Sequence, residues 1–146
     1  VLVGKMDYFY ERLKKEAEKL GLSKHNETVF YGYATEAELA ELYRRARAYV
    51  FPSLLEGFGL PPLEAMRYGT PVVASDSSCL PEILGDAAAY FNPEQEAAMA
   101  EAMRRVFLDD GLRATLAERG RARVERYSWK ECAERTMTTY LSSLRP

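Results

Sequence analysis

Residues 48–66, with the sequence AYVFPSLLEGFGLPPLEAM, decide how the rest of the chain is organised. The first four residues are apolar and predict a short buried strand, and Leu63 and Met66 begin a helical pattern after the loop. Pro61 and Pro62 favour the first turn of a helix, where no amide donor is needed. The stretch therefore predicts a strand, a glycine-bearing loop and a helix in succession.

The loop and the helix start in this stretch combine features that suit a sugar phosphate. The first turn of a helix offers free N–H groups and a positive dipole end, which favour phosphate. Gly57 and Gly59 remove side chains where a ligand could approach the backbone. Glu56 and Glu64 flank the loop, and carboxylates accept hydrogen bonds from sugar hydroxyls. On spacing alone both glutamates have simpler interpretations, because Glu64 suits an early helical position and Glu56 a surface loop.

The rest of the chain alternates strands with helices. Short apolar runs predict four further strands, at residues 1–3, 28–31, 72–74 and 88–91. Alternating strands and helices predict a parallel sheet covered on both faces, with ligands beyond the carboxyl ends of the strands. The sequence therefore predicts an α/β, Rossmann-like, three-layer domain with a five-stranded parallel sheet.

Helix starts are marked by capping residues. Asp7 is predicted to cap the first helix, Thr35 to open a capping box, Asn92 to start a helix with a proline at its first position, and Ser128 to open the last helix. The helix expected at about 110–126 carries many arginines. Its simplest interpretation is a solvated face, and a basic patch for a membrane or an acidic ligand is the alternative.

Composition narrows the class of protein. The 146 residues are 47% apolar and 29% charged with a net charge of −2, which fits one soluble domain and offers no basic field for nucleic acid. Cys79 and Cys132 fit no metal or redox spacing, and we expect reduced thiols in a cytosolic protein. His25 is expected to be exposed in a polar turn. No apolar run reaches the roughly 18 residues of a membrane span, and we expect no signal peptide.

Three segments together resemble the retaining GT-B glycosyltransferases of the group 1, or GT4, family. They are Glu-Gly-Phe-Gly-Leu-Pro from Glu56, Gly-Thr-Pro-Val-Val-Ala-Ser from Gly69, and Leu-Pro-Glu from Leu80. The similarity runs along nearly the whole chain. The spacing of Glu56 and Glu64 is weak by itself, and the segments around it make the resemblance specific.

The resemblance implies a role for each matching residue. Glu56 would be the catalytic residue that binds hydroxyls of the transferred sugar, and Glu64 would bind the ribose. The sugar and the diphosphate would meet the backbone of Gly57, Phe58, Gly59 and Leu60. Tyr33 would lie in the region of the nucleotide base.

The implied reaction moves a hexose from a nucleoside-diphosphate sugar to an acceptor hydroxyl with retention of anomeric configuration. The donor would be a UDP- or GDP-sugar, and the family implies no cofactor and no metal. The acceptor would be a glycan, a lipid or a small molecule. The alternative is a catalytically inactive nucleotide-sugar-binding or scaffold module, natural or engineered.

The resemblance also implies that residues 1–146 form a single domain, the C-terminal half of a GT-B fold. The N-terminal acceptor domain and the first βα unit would then be absent, which agrees with a start on a strand without Met. Removing the central strand from the family order 3-2-1-4-5-6 leaves 2-1-3-4-5, the flavodoxin-like order, if the fragment closes. An exposed sheet edge would otherwise favour a homo-oligomer. The expected location is cytoplasmic, or peripheral to the inner membrane in the full-length enzyme.

Overall fold

A computed structural model describes residues 1–22 and 28–143 of the chain, so His25 lies outside the described residues. The chain divides into two compact units, Val1–Leu42 and Tyr43–Pro146. Strands and helices alternate as predicted, and a 3₁₀ turn at Gly85–Ala87 precedes the last strand. The elements are β1 (Leu2–Val3), α1 (Tyr8–Lys19), β2 (Phe30–Gly32), α2 (Glu36–Arg45), β3 (Tyr49–Phe51), α3 (Leu60–Arg67), β4 (Val72–Ser75), α4 (Leu80–Leu84), β5 (Ala88–Phe91), α5 (Glu96–Leu108), α6 (Asp110–Val124) and α7 (Trp129–Ser143).

In the first unit, β1 pairs in parallel with β2. The Asp7 carboxylate accepts hydrogen bonds from the amides of Phe9 and Tyr10 at 3.0 and 3.1 Å, which confirms it as the cap of α1. Ahead of α2, Thr35 and Glu38 form the predicted capping box. The Glu38 carboxylate accepts from the Thr35 amide at 2.8 Å, and the Thr35 hydroxyl accepts from the Glu38 amide at 3.3 Å.

In the second unit, β3, β4 and β5 form a parallel sheet in that order. Every residue of the central strand β4 is buried, so this strand is covered on both faces, as expected of a parallel sheet. One core cluster joins β4 and β5 to α5 and α6. Its buried members are Val73, Ala89, Phe91, Ala102, Val106 and Leu116.

Helix α3, which follows the glycine loop, is held by a close crossing with α6. Gly120 of α6 lies against Met66 of α3, and a Cβ atom added at Gly120 would stand 3.0 Å from Met66 Cγ. Met66 is almost completely buried. Because any larger residue at position 120 would have to displace the buried Met66, glycine favours this close crossing, which positions the helix that begins at the candidate site.

Within residues 1–22 and 28–143 the five strands make two sheets, one of β1 and β2 and one of β3, β4 and β5, and not one closed sheet of order 2-1-3-4-5. The hypothesis of a closed flavodoxin-like sheet is therefore wrong, while the Rossmann-like α/β class with parallel strands is confirmed.

Two local predictions also need correction. Asn92 does not cap α5, because its side-chain oxygen accepts a hydrogen bond from the Glu94 amide within a turn and the helix begins at Glu96. The arginines of α6 do not all form a solvated face. Arg123 is half-buried, and its Nε donates to the Ile83 carbonyl at 2.7 Å, at the end of α4.

Candidate functional site

The candidate site lies where β3 and β4 end on the same edge of the sheet. The glycine loop leaves β3, and the loop of residues 76–79 leaves β4 beside it. The fully buried Ser75 hydroxyl, at the end of β4, donates a hydrogen bond to the Ser53 carbonyl. The two loops are therefore joined at their start, at the edge where parallel sheets bind ligands.

A second connection reaches the middle of the glycine loop. The Ser78 hydroxyl donates to the Glu56 carbonyl at 3.0 Å and accepts from the Glu56 amide at 3.3 Å. The Cys79 thiol also donates to the Glu56 carbonyl, at 3.4 Å. The main chain of Glu56 is thus fixed by the loop after the neighbouring strand.

Gly59 shapes the end of the loop. Its φ of 88° lies in the left-handed region, and it stands at the N-cap of α3 without a capping side chain. A Cβ atom added there would come within 2.7 Å of Cδ2 of Leu80, a fully buried residue. Both the backbone conformation and the packing therefore require glycine at this position.

The amides of residues 57–60 donate no hydrogen bond to another part of the described chain. Pro61 and Pro62, which follow at the start of α3, carry no amide hydrogen. The available donors at this helix end are therefore the four amides that precede the prolines. A Cβ atom added at Gly57 would meet nothing within 4 Å, so a ligand can approach the backbone there.

Glu64 stands exposed on α3 beside two tyrosines. The Tyr43 hydroxyl donates to Glu64 Oε2 at 3.5 Å, and the Tyr49 hydroxyl donates to Tyr43. Burial, followed by the charge of Glu64, raises the pKa of Tyr43 to about 12. The Tyr43 phenol therefore remains protonated at neutral pH and donates to one side of the Glu64 carboxylate, while the Tyr49 phenol supports Tyr43 from behind.

The charges of both carboxylates of the candidate site act on the Tyr49 phenol. Burial is the main cause of its raised pKa, neighbouring Tyr43 adds to it, and the charges of Glu64 and Glu56 add smaller contributions in the same direction. Because both charges act on one phenol, Glu56 and Glu64 lie near the same side chain. The half-buried Glu56 and the exposed Glu64 are thus both within electrostatic reach of the Tyr49 phenol.

The Phe58 side chain is held by an aromatic contact. Its ring meets the Tyr127 ring edge-to-face, with centroids 5.4 Å apart, and the Tyr127 hydroxyl donates to the Ile83 carbonyl at 2.8 Å. The contact anchors the loop to the segment between α6 and α7.

Tyr33 belongs to the first unit, where it directly follows β2 and has 75% of its surface exposed. Its assignment to a nucleotide base stays a prediction. The other predicted site residues, 56–60 and 64, all lie in the second unit.

Among residues 1–22 and 28–143, no group of three or more His, Cys, Asp or Glu side chains is arranged to hold a metal ion. None of the helices described in those ranges has the length and apolar character to cross a membrane. Cys79 is a half-buried free thiol, and Cys132 is an exposed one.

Sequence reasoning missed the residues that support this site. The predicted site residues did not include Ser78, Cys79, Tyr43 or Tyr49. One signal was available: Ser78 and Cys79 follow a predicted strand, and the carboxyl ends of neighbouring parallel strands meet at one edge. The tyrosines gave no such signal, because Tyr43 meets Glu64 from 21 positions away and Tyr49 is connected to Glu64 through Tyr43.

Parallel strands, crossover helices and a glycine loop at the carboxyl edge define a Rossmann-like α/β protein with a candidate anion and hydroxyl site. Comparison with known proteins gives the family. The model of the family described as glycosyl transferases group 1 matches residues 1–123, and the chain belongs to this family.

Individual relatives agree with this assignment. O-antigen chain mannosyltransferase B of Escherichia coli is 40% identical over 111 residues, covering 76% of this chain and 29% of the relative. The structure of sucrose-phosphate synthase from Thermosynechococcus elongatus matches with a TM-score of 0.85 at 29% identity, covering 97% of this chain and 37% of that one. HepE from Anabaena, solved in complex with UDP and glucose, matches with a TM-score of 0.79 at 24% identity, covering 98% of this chain and 40% of that one.

The chain therefore spans 29% of the length of this relative and 37% and 40% of the lengths of these two structures. Its neighbours are GT-B glycosyltransferases, and the likeness to HepE shows the fold alone. The chain is a group 1 glycosyltransferase domain with a Rossmann-like fold.

Proposed function

We propose that this domain binds the donor of a retaining hexosyltransferase, a nucleoside-diphosphate sugar. One observation carries the proposal: four amides without a partner in the described chain lie between two carboxylates at the carboxyl edge of the sheet. The amides of residues 57–60 would hold the diphosphate, Glu56 the hydroxyls of the transferred sugar, and Glu64 the ribose. Tyr33 is proposed to contact the base.

The chemistry of this arrangement suits a departing diphosphate. Breaking the bond between the sugar and the phosphate leaves negative charge on the diphosphate oxygens. Fixed amide dipoles and the N-terminus of α3 stabilise that charge without reorganising during the reaction. Glu56, with its main chain fixed on both sides, would orient the sugar ring over the loop.

The similarity to a mannosyltransferase makes mannose the first sugar to test, and the presence of UDP and glucose in the HepE complex makes UDP-glucose the second. We propose that the groups that recognise the acceptor lie on another domain, since the chain covers only part of its relatives. The 146-residue chain is then expected to bind donor and to transfer nothing by itself. A cytoplasmic location and association through a sheet edge stay predictions.

Titration calorimetry of the 146-residue chain with GDP-mannose and with UDP-glucose tests donor binding. Glu64→Gln should weaken binding roughly 10- to 100-fold, because a charged acceptor of two hydroxyl hydrogen bonds becomes a neutral amide. Glu96→Gln is the matched control, since Glu96 is also an exposed helical carboxylate of the second unit. Its donor affinity should equal that of the unmodified chain.

Absence of heat with either nucleotide sugar, from a chain whose circular dichroism shows it folded, would favour the scaffold alternative. Equal losses of affinity in both glutamine variants would reject the ribose role of Glu64. Sugar transfer by the 146-residue chain would contradict the proposal that it is the donor-binding part of a larger enzyme.

A further inference from the structure

Ser78 has an unusual backbone conformation for its residue type. Its φ is 58°, and it is the residue other than glycine at which the described chain takes a positive φ. A left-handed conformation is unfavourable for residues with a Cβ atom, and it persists where the surroundings hold it. Ser78 itself is exposed, so burial of its side chain does not account for the conformation.

The contacts of the Ser78 side chain point to its role. The hydroxyl can donate one hydrogen bond and accept others, and both kinds go to the main chain of one residue, Glu56. The two residues are 22 positions apart and lie in loops that follow neighbouring strands. The left-handed backbone of Ser78 therefore directs its hydroxyl at the peptide groups immediately before the unpaired amides of residues 57–60.

We propose that Ser78 is a positioning residue for donor binding: its hydroxyl fixes the Glu56 main chain and so sets the direction of the Glu56 side chain and of the amides after it. The inference rests on the proposed function, because it assumes that these groups hold the donor. Water can replace the two hydrogen bonds at this exposed position, so their loss affects folding little. Loss of these hydrogen bonds instead lowers the fraction of molecules in which the amides of residues 57–60 are oriented to bind the nucleotide sugar.

Two substitutions separate positioning from stability. Ser78→Ala and Ser78→Gly both remove the hydroxyl, but alanine keeps the left-handed strain and glycine relieves it. The melting temperature of Ser78→Gly should therefore exceed that of Ser78→Ala by roughly 4 °C. Donor affinity should nevertheless fall by the same factor in both variants, about tenfold. Ser77→Ala is the control, since the side chain of Ser77 makes none of the hydrogen bonds found in the described residues.

The measurements are calorimetric titrations with GDP-mannose and UDP-glucose, and thermal unfolding of each variant. Equal, roughly tenfold losses in the two Ser78 variants, with Ser77→Ala unchanged, support the inference. If affinity follows stability, so that Ser78→Gly binds normally, or if both variants bind normally, the positioning role is rejected while the proposed function stands. If the unmodified chain binds neither donor, the proposed function fails and the inference fails with it.

Discussion

Substitution of Gly59 by alanine gives the sharpest test of how the glycine loop is held. An L-residue at a φ of 88° costs about 1–2 kcal/mol relative to its preferred conformations. The added Cβ atom would also stand 2.7 Å from Leu80 Cδ2, and overpacking of a buried site costs about 1–3 kcal/mol. Alanine also has less conformational freedom than glycine in the unfolded chain, which offsets the loss of folding free energy by about 0.5–1 kcal/mol. The expected net loss of folding free energy is therefore about 3 kcal/mol, within a range of about 1–4 kcal/mol.

Urea unfolding followed by circular dichroism measures this loss. Gly57→Ala is the matched control in the same loop, because no atom lies within 4 Å of the position of its added Cβ and its φ is not positive. Its unfolding free energy should stay within about 0.5 kcal/mol of the unmodified chain. The two substitutions have the same chemistry and differ only in backbone conformation and surroundings.

A double variant divides the loss into its two causes. Leu80→Ala removes the atom that the new methyl group would meet, so Gly59→Ala in that background should lower the folding free energy by only about 1 kcal/mol, the backbone strain less the unfolded-chain offset. The remainder is the packing contribution. If Gly59→Ala proves as stable as Gly57→Ala, the structure of the loop around Gly59 is wrong.

Three further substitutions test other parts of the second unit. Thr70→Val should lower the free energy of unfolding in urea by about 1–3 kcal/mol, because the buried Thr70 hydroxyl donates to the Tyr43 carbonyl at 2.6 Å. Thr136→Val, on exposed α7, is the control and should change the free energy of unfolding little. Since the pKa of Tyr43 is raised to about 12 against about 10 in the unfolded chain, its contribution to stability is complete below pH 10 and is lost as pH rises towards 12. Stability measured from pH 9 to 12 should thus fall less steeply in Tyr43→Phe, and equal slopes would contradict the shift. Arg123→Met should lower the melting temperature by roughly 3 °C, because it removes the hydrogen bond to the Ile83 carbonyl. Arg123→Lys should recover only part of that loss. An unchanged melting temperature in Arg123→Met would show that this hydrogen bond does not stabilise the end of α4.

The parts of the fold that the sequence predicted depend on neighbouring residues. The strand, loop and helix of residues 48–66 follow from an apolar run, two glycines and two prolines within one short stretch. The Thr35 capping box follows in the same way from residues three positions apart. Local patterns can also have two outcomes, and Asn92 before a proline formed a turn where a helix cap was predicted.

The parts that were missed depend on residues far apart in the chain. The hydrogen bonds between Ser78 and Glu56 and between Tyr43 and Glu64 join positions more than 20 residues apart. Arg123 reaches the end of α4 from 40 positions away. These contacts require the register of β3 against β4 and the crossing of α3 and α6, which no local pattern contains. The division into two sheets was missed for the same reason, since it depends on which strands are neighbours.

The open space beside Gly57 has a consequence for how this loop would respond to selection. Consider a library in which positions 57 and 59 are randomised and the variants are sorted only for folded protein. Position 57 should then contain many different residues, while position 59 should contain mainly glycine. Sorting the same library for binding of a nucleotide sugar should reduce the range of residues found at position 57 as well. The difference between the two profiles would separate what the chain requires in order to fold from what its proposed substrate requires in order to approach.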